Sequence, residues 1–271
     1  MAEVQAGDVK LYYEVHGSGE PLLMIMGLGG SLAGWSPVLV TELARHNFRT
    51  IIYDNRGTGR SDKPAIKYSL EMFAGDAIAL LDALKIERAH VFGVSMGGMI
   101  AQELALRHAS RLQTLTLGCT TCGGKHAVPP PPESLKLLTA PRDGASPEEL
   151  IRRAWPLQFP KEFIEHHRAE LEAEIPRLLQ YPTPPSSYMR HLEATYGLKT
   201  YDRLPQIKTP TLVVTGEDDV LIPARNSEII AERIPGARFH VVPDAGHAFF
   251  NQYPDEFIRV FVPFAREHSI N

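Results

Sequence analysis

The feature that most constrains this chain is a succession of short apolar runs, each ending in a turn and followed by a helical pattern. P-L-L-M-I-M at 21–26, R-T-I-I-Y-D ending at Asp54, A-H-V-F-G-V ending at Val94 and L-Q-T-L-T-L-G at 112–118 carry almost no polar alternation. Strands of that kind are covered on both faces. Helical patterns fall between them, at 35–45, 70–84 and 96–108. Such regular alternation predicts an α/β fold: a mostly parallel central sheet flanked by helices.

Upstream, V-K-L-Y-Y-E-V at 9–15 alternates as a half-exposed strand does, and H-G-S-G-E-P at 16–21 is dense in turn residues, which predicts a hairpin into the 21–26 strand. Near residue 120 the alternation stops. The stretch 121–204 is rich in proline, with P-P-P-P at 129–132 and P-T-P-P at 182–185. Between the prolines lie helical patterns, notably at 161–175, where Phe163, Ile164, His167, Leu171 and Ile175 share one face. The strand and helix order then resumes with T-L-V-V-T-G at 211–216, a helix at 224–234, a strand at 238–243 and a helix at 255–267. The chain therefore reads as a core of 1–120 and 205–271 interrupted by a helical insertion, 121–204.

Bulk properties narrow the function classes. With 44% hydrophobic and 22% charged residues, the chain has the composition of an ordinary globular protein. A formal net charge of −4 and a pI near 6.3 leave no basic footprint for nucleic acid and no polybasic patch for a membrane surface. The N-terminus lacks the basic start and apolar run of a secretory signal, so a cytoplasmic protein is expected. The two cysteines form the C-x-x-C Cys119–Cys122, with His126 the one obvious neighbour. A tetrahedral metal site needs more ligands than that, so neither metal nor redox use is expected.

The chemistry is carried by G-V-S-M-G at 93–97, which fits G-x-S-x-G with a strand before it and a helix after it. A serine at the apex of so tight a turn is forced toward strained backbone angles and pushed clear of the sheet. The bland alternative, a Ser-Gly turn without chemistry, weakens only if partners exist. A hydroxyl is a poor nucleophile near neutral pH and needs a base, usually a histidine oriented by a carboxylate. Among eleven histidines, His247 in P-D-A-G-H-A sits in a glycine-containing loop beyond a late strand, at the same sheet edge as Ser95. For the carboxylate, T-G-E-D-D-V at 215–220 offers Glu217, Asp218 and Asp219. Acids after a strand also cap helices or stay in water, the simpler account of Glu217 and Asp218.

With the order Ser, Asp, His, the chain resembles the α/β-hydrolase fold enzymes over nearly its full length. Y-D-N-R-G-T-G-R-S-D at 53–62 is similar to that family's D-x-R-G-x-G-x-S turn, and G-E-D-D-V-L-I-P at 216–223 to its G-x-x-D-x-x-x-P segment. The second match puts the family's acid on Asp219, with Asp218 in reserve. Resemblance also implies an oxyanion hole of two backbone amides, from Met96 directly after the nucleophile and from Leu28 in M-G-L-G at 26–29. That loop often reads H-G-x-G in the family. Here Met26 replaces the histidine, which removes a polar support and leaves a more apolar floor. Gly57 and Gly59 complete no nucleotide-binding fingerprint and belong to turns.

The insertion falls where the family carries its cap, or lid, and it holds acidic and basic residues in equal number, so nothing favours a strongly anionic substrate. Trp155, Phe159, Phe163 and Tyr188, with Met26, are candidates for an apolar pocket. The resemblance implies a cofactor-free serine esterase acting on an uncharged carboxylic ester of short or medium chain. It also allows, as rivals, an enol-lactonase, a carbon–carbon bond hydrolase, a perhydrolase or haloperoxidase, or a lyase; an intact triad argues against a ligand receptor without chemistry. Haloalkane dehalogenases and epoxide hydrolases use an Asp where this chain has Ser95. The sequence carries no signal for an oligomeric state.

Overall fold

A computed structural model describes residues 2–140 and 144–269. Eight strands form one sheet: β1 (Ala2–Ala6), β2 (Val9–His16), β3 (Glu20–Ile25), β4 (Phe48–Tyr53), β5 (Ala89–Val94), β6 (Leu112–Gly118), β7 (Thr211–Gly216) and β8 (Arg238–Val242), in the spatial order β1-β2-β4-β3-β5-β6-β7-β8. From β4 to β8 all pairings are parallel, while β1 and β2 join antiparallel. Leu22, Leu23, Met24 and Ile25 of β3 are fully buried, each contributing roughly 1.5–3 kcal/mol of hydrophobic stabilisation. Continuous apolar strands require such double cover.

Helices supply it. On one face pack α1 (Pro37–Arg45) and α11 (Pro254–Arg266), whose Leu39, Leu43, Phe257 and Phe261 join Phe92 and Trp35. On the other pack α2 (Leu70–Ala83), α3 (Met96–Arg107) and α9 (Arg225–Arg233) through Phe73, Leu80, Ile100, Leu104 and Ile230. Ser36 caps α1 by accepting the Val38 amide, with Pro37 in the first turn, so this helix starts later than residue 35. A short α10 (Phe249–Gln252) precedes α11.

The predicted hairpin at 16–21 does not form. β2 pairs with β4, and β3 lies on the far side of β4, parallel to it. The hairpin is instead one turn earlier, where β1 folds back on β2 through Gly7, whose φ of 60° suits a tight turn. Turn residues at 16–21 thus reverse the chain while carrying it over the end of β4, so β2 and β3 run antiparallel without being neighbours.

Among the described residues five α-helices run between β6 and β7, α4 (Pro132–Leu138), α5 (Pro147–Gln158), α6 (Lys161–His166), α7 (Arg168–Leu178) and α8 (Pro185–Thr195). The single helix expected at 161–175 is broken at His167, which has φ −112° and ψ 23°. Phe163 stacks on the His167 ring at 4.3 Å across the break. The bend aims Phe163, His167 and Leu171 into one cavity. Among the described residues no helix is long and apolar enough to cross a membrane.

Candidate active site

One residue separates β5 from α3, and it is Ser95, with φ 56° and ψ −122°. That backbone conformation strongly favours glycine. It persists because both flanks are fixed: the Ser95 amide donates to Gly118 O at 2.9 Å, and its carbonyl accepts the Met99 amide of the first helical turn at 3.1 Å. A Cβ at Gly93 would stand 2.2 Å from Gly97 O, and one at Gly97 would stand 2.0 Å from Ile25 O. The strand and helix therefore meet closely enough to leave the serine side chain on the open side.

His247 follows β8 in the loop before α10. Its Nδ1 lies 2.7 Å from Asp219 Oδ2, and both side chains are nearly solvent-free. A carboxylate only accepts, so Nδ1 carries a proton, and in the neutral ring Nε2 keeps its lone pair. Asp219 is anchored in turn, since its Oδ1 accepts the amides of Leu221 and Ile222, each at 2.8 Å. Glu217 and Asp218 are exposed. Burial disfavours a charged imidazole, but the Asp219 carboxylate outweighs it and holds the His247 pKa well above the ordinary value.

Cys119, at the end of β6, is a neighbour that the sequence did not announce. It is fully buried at φ 41°, and its Sγ, a carboxylate oxygen of Asp219 and a ring nitrogen of His247 lie within 4.8 Å of one another. Thiol, carboxylate and imidazole are zinc-type donors, yet here imidazole and carboxylate are already bonded to each other. Burial pushes the Cys119 thiol up, so at neutral pH the charge beside His247 is that of Asp219. Cys122 is a separate buried thiol, and His126 stacks on Tyr201 at 3.6 Å instead of facing the cysteines.

Ser95 and His247 open on a cavity of about 520 Å³. Met26, Leu28, Trp155, Phe159, Phe163 and Tyr188 all line it, so every pocket candidate reaches the same space. The inserted helices also contribute Leu137, Leu138, Leu150 and Ile151, which no motif had singled out. Its charged members are Arg153, Arg177, Glu170 and Glu174, again balanced in sign. Met96, directly after Ser95, has a fully buried side chain and is not among the residues that line the cavity. As the first residue of α3, its N–H has no acceptor within the helix.

The loop after β3 carries the Leu28 amide, the second donor that the resemblance implies. Gly30 N donates to Gly27 O at 3.1 Å and Gly29 N to His191 Nδ1 at 3.4 Å, whereas the Leu28 N–H has no acceptor among the described residues. Residues of the D-N-R-G-T-G-R turn hold this loop. Asp54 accepts Leu32 N at 2.7 Å and Arg60 N at 2.8 Å, and Asn55 Nδ2 donates to Met26 O at 3.2 Å. The turn is itself tied down by Arg56, which makes two 2.6 Å bonds to buried Asp76 of α2. Asp54, Asn55, Cys119, Thr183 and His191 act here across long sequence separations. Only Asp54, in the D-x-R-G-x-G-x-S turn, and Cys119, in the C-x-x-C, lay within a quoted motif as defined positions.

The geometry is that of a serine at a strand–turn–helix elbow, a buried imidazole–carboxylate pair on the same cavity and, among the described residues, two backbone amides without an acceptor. Comparison with known proteins gives the fold family. The model of the alpha/beta hydrolase fold matches residues 20–252. A protein of Azorhizobium caulinodans named RutD for a proposed carbamate hydrolase activity is 34% identical over 268 residues, covering 98% of this chain and 99% of its own. The enol-lactonase from Burkholderia xenovorans superposes with a TM-score of 0.83 at 28% identity, covering 98% of this chain and 100% of its own. A thermophilic esterase from Thermogutta terrifontis gives 0.84 at 25% identity, covering 99% of both chains. The chain belongs to the alpha/beta hydrolase fold family and is a hydrolase of that family.

Proposed function

We propose that the protein is a serine hydrolase that cleaves an uncharged short- or medium-chain carboxylic ester through Ser95, His247 and Asp219. The single observation carrying this reading is the buried 2.7 Å His247–Asp219 bond on the cavity that Ser95 also lines. Ser95 Oγ attacks the ester carbonyl as His247 Nε2 takes its proton, and Asp219 stabilises the imidazolium. The carbonyl oxygen becomes an oxyanion that accepts the Leu28 and Met96 amides, where one donor typically contributes about 100- to 1000-fold in rate. His247 returns the proton to the leaving alkoxide, and the alcohol departs from an acyl-enzyme. Water, deprotonated by His247, then attacks the acyl group, and the proton passes back to Ser95 as the acid leaves.

Residues 121–204 act as the cap. The aromatic and aliphatic lining favours an apolar acyl group, and the balanced charges supply no site for a strongly anionic one. Two buried free thiols suit a cytoplasmic location.

A second reading is favoured by the relatives. A lactone or carbamate carbonyl meets the same nucleophile and amides, and the 34% identical relative is named for a carbamate. The experiment is a panel of nitrophenyl esters, lactones and carbamates run against the parent and Ser95→Ala, with fluorophosphonate labelling of Ser95. Parent turnover of butyrate esters lost in Ser95→Ala is expected. Retention of most activity in that variant would end the serine mechanism, and turnover confined to lactones or carbamates would move the substrate class.

A further inference from the structure

The loop carrying the Leu28 amide is held from two sides. Beneath it, where the family often has a histidine, this chain has Met26, whose apolar side chain lies under Gly30 and Gly34: a Cβ at those glycines would meet Met26 Cγ at 2.7 Å and Cε at 2.8 Å. That side offers packing, with polar support from Asn55 to the Met26 carbonyl, Asp54 to the Leu32 amide and Asn251 to the Gly34 carbonyl, at positions flanking Gly29.

The other side is the helical insertion, and its polar contacts converge on this loop. Thr183 Oγ1 donates to Gly29 O at 2.8 Å. His191 Nδ1 accepts the Gly29 amide at 3.4 Å, while its Nε2 donates to Arg56 O at 2.7 Å. Farther along, Arg177 Nη1 donates to the carbonyls of Ala33 and Trp35. Gly29 itself has φ 64°, and a Cβ there would meet Tyr188 Cδ2 at 2.6 Å. Both backbone groups of Gly29 are thus taken by inserted residues, and its open side is closed by a third.

We propose that Thr183 and His191 are positioning residues of the oxyanion hole: by fixing the carbonyl and amide of Gly29, they hold the preceding Leu28 N–H on the oxyanion. The insertion then does more than enclose the substrate. It completes the catalytic constellation, and any displacement of α8 and the segment before it misdirects a donor. This inference rests on the triad and oxyanion-hole reading above. Leu28 itself touches the reacting oxygen; Thr183 and His191 act through it.

The experiment compares Thr183→Val, which keeps the side-chain volume and removes the hydroxyl, with Thr183→Ser, which keeps the hydroxyl. Each is assayed on nitrophenyl butyrate for kcat and KM, and with an aliphatic trifluoromethyl ketone, which adds to a serine and leaves a tetrahedral oxyanion. Because the donor is misplaced rather than removed, Thr183→Val should lose about 10-fold in kcat and about the same in ketone affinity, with KM little changed. Thr183→Ser should recover most of both. Thermal unfolding is followed alongside, and if Thr183→Val does not fold, His191→Gln carries the same comparison. A loss confined to KM, unchanged ketone affinity, or equal losses in the Val and Ser variants overturns the proposal. Should the parent itself fail to bind the ketone or to label at Ser95, the triad reading falls, and this inference with it.

Discussion

Asp219 Oδ2 and His247 Nδ1 are 2.7 Å apart in a region almost closed to water, and Asp219 is held there by two backbone amides of its own loop. The carboxylate can therefore neither rotate away nor be replaced by solvent. Asp219→Asn keeps the shape but turns an acceptor into an amide, which favours the wrong imidazole tautomer. A loss of kcat of about 10³- to 10⁴-fold is expected, with intact folding, on the precedent of the serine protease triad. Steady-state kinetics with circular dichroism check it, and Asp218→Asn should stay near the parent because Asp218 is exposed.

The same pair sets a pH dependence. The folded His247 pKa is raised above 6.5, chiefly because the Asp219 carboxylate overcomes burial. Catalysis needs the neutral ring, so kcat/KM should fall as pH drops through a midpoint above 6.5. Stability runs the other way. A raised folded pKa contributes stability that is fully present below the unfolded value near 6.5 and is lost as pH rises through the folded value. A pH–rate profile with a midpoint below 6.5 would count against this assignment.

Much of this framework is legible in the sequence because it is local. A buried strand declares itself by continuous apolar residues, and the elbow by a glycine-flanked serine between a strand and a helix. Where partners are distant, local signals fail. The turn at 16–21 looks like a hairpin because nothing nearby reveals that β2 pairs with β4, some thirty residues on. His191 and Thr183 look like ordinary residues of a proline-rich insertion, and they acquire meaning only against Gly29. Cys119 reads as half of a C-x-x-C, while its neighbours in space are His247 and Asp219.

Ser95 carries backbone strain that, on the proposed mechanism, serves the reaction and not folding. At φ 56° and ψ −122° a residue with a Cβ is disfavoured by about 1–3 kcal/mol relative to glycine. Ser95→Gly removes this cost but adds freedom to the unfolded chain, worth about 0.4–1 kcal/mol in the opposite direction. The net expectation is a gain of about 1 kcal/mol, a rise of about 2 °C in Tm for a domain of this size. Ser95→Ala keeps the Cβ and should not gain it. Both variants should be inactive, so calorimetry of the pair separates strain from loss of the hydroxyl.

His191 provides the opposite case to His247. Its ring is fully buried between the Gly29 amide and the Arg56 carbonyl, and burial drives its pKa down to about 4. Above pH 6.5 it is neutral in both folded and unfolded chains, and its contribution to stability is complete. Between pH 6.5 and 4 the unfolded chain takes up a proton that the folded ring refuses, so stability is lost as pH falls. With 1.36 kcal/mol per unit, the loss approaches about 3 kcal/mol by pH 4. Other groups titrate in that window, so the check is a difference: urea unfolding of the parent and His191→Gln at pH 7 and at pH 4.5. The variant should be less stable at pH 7 and should lose less on acidification. Parallel losses in the two proteins would show that the buried imidazole does not carry this part of the acid sensitivity.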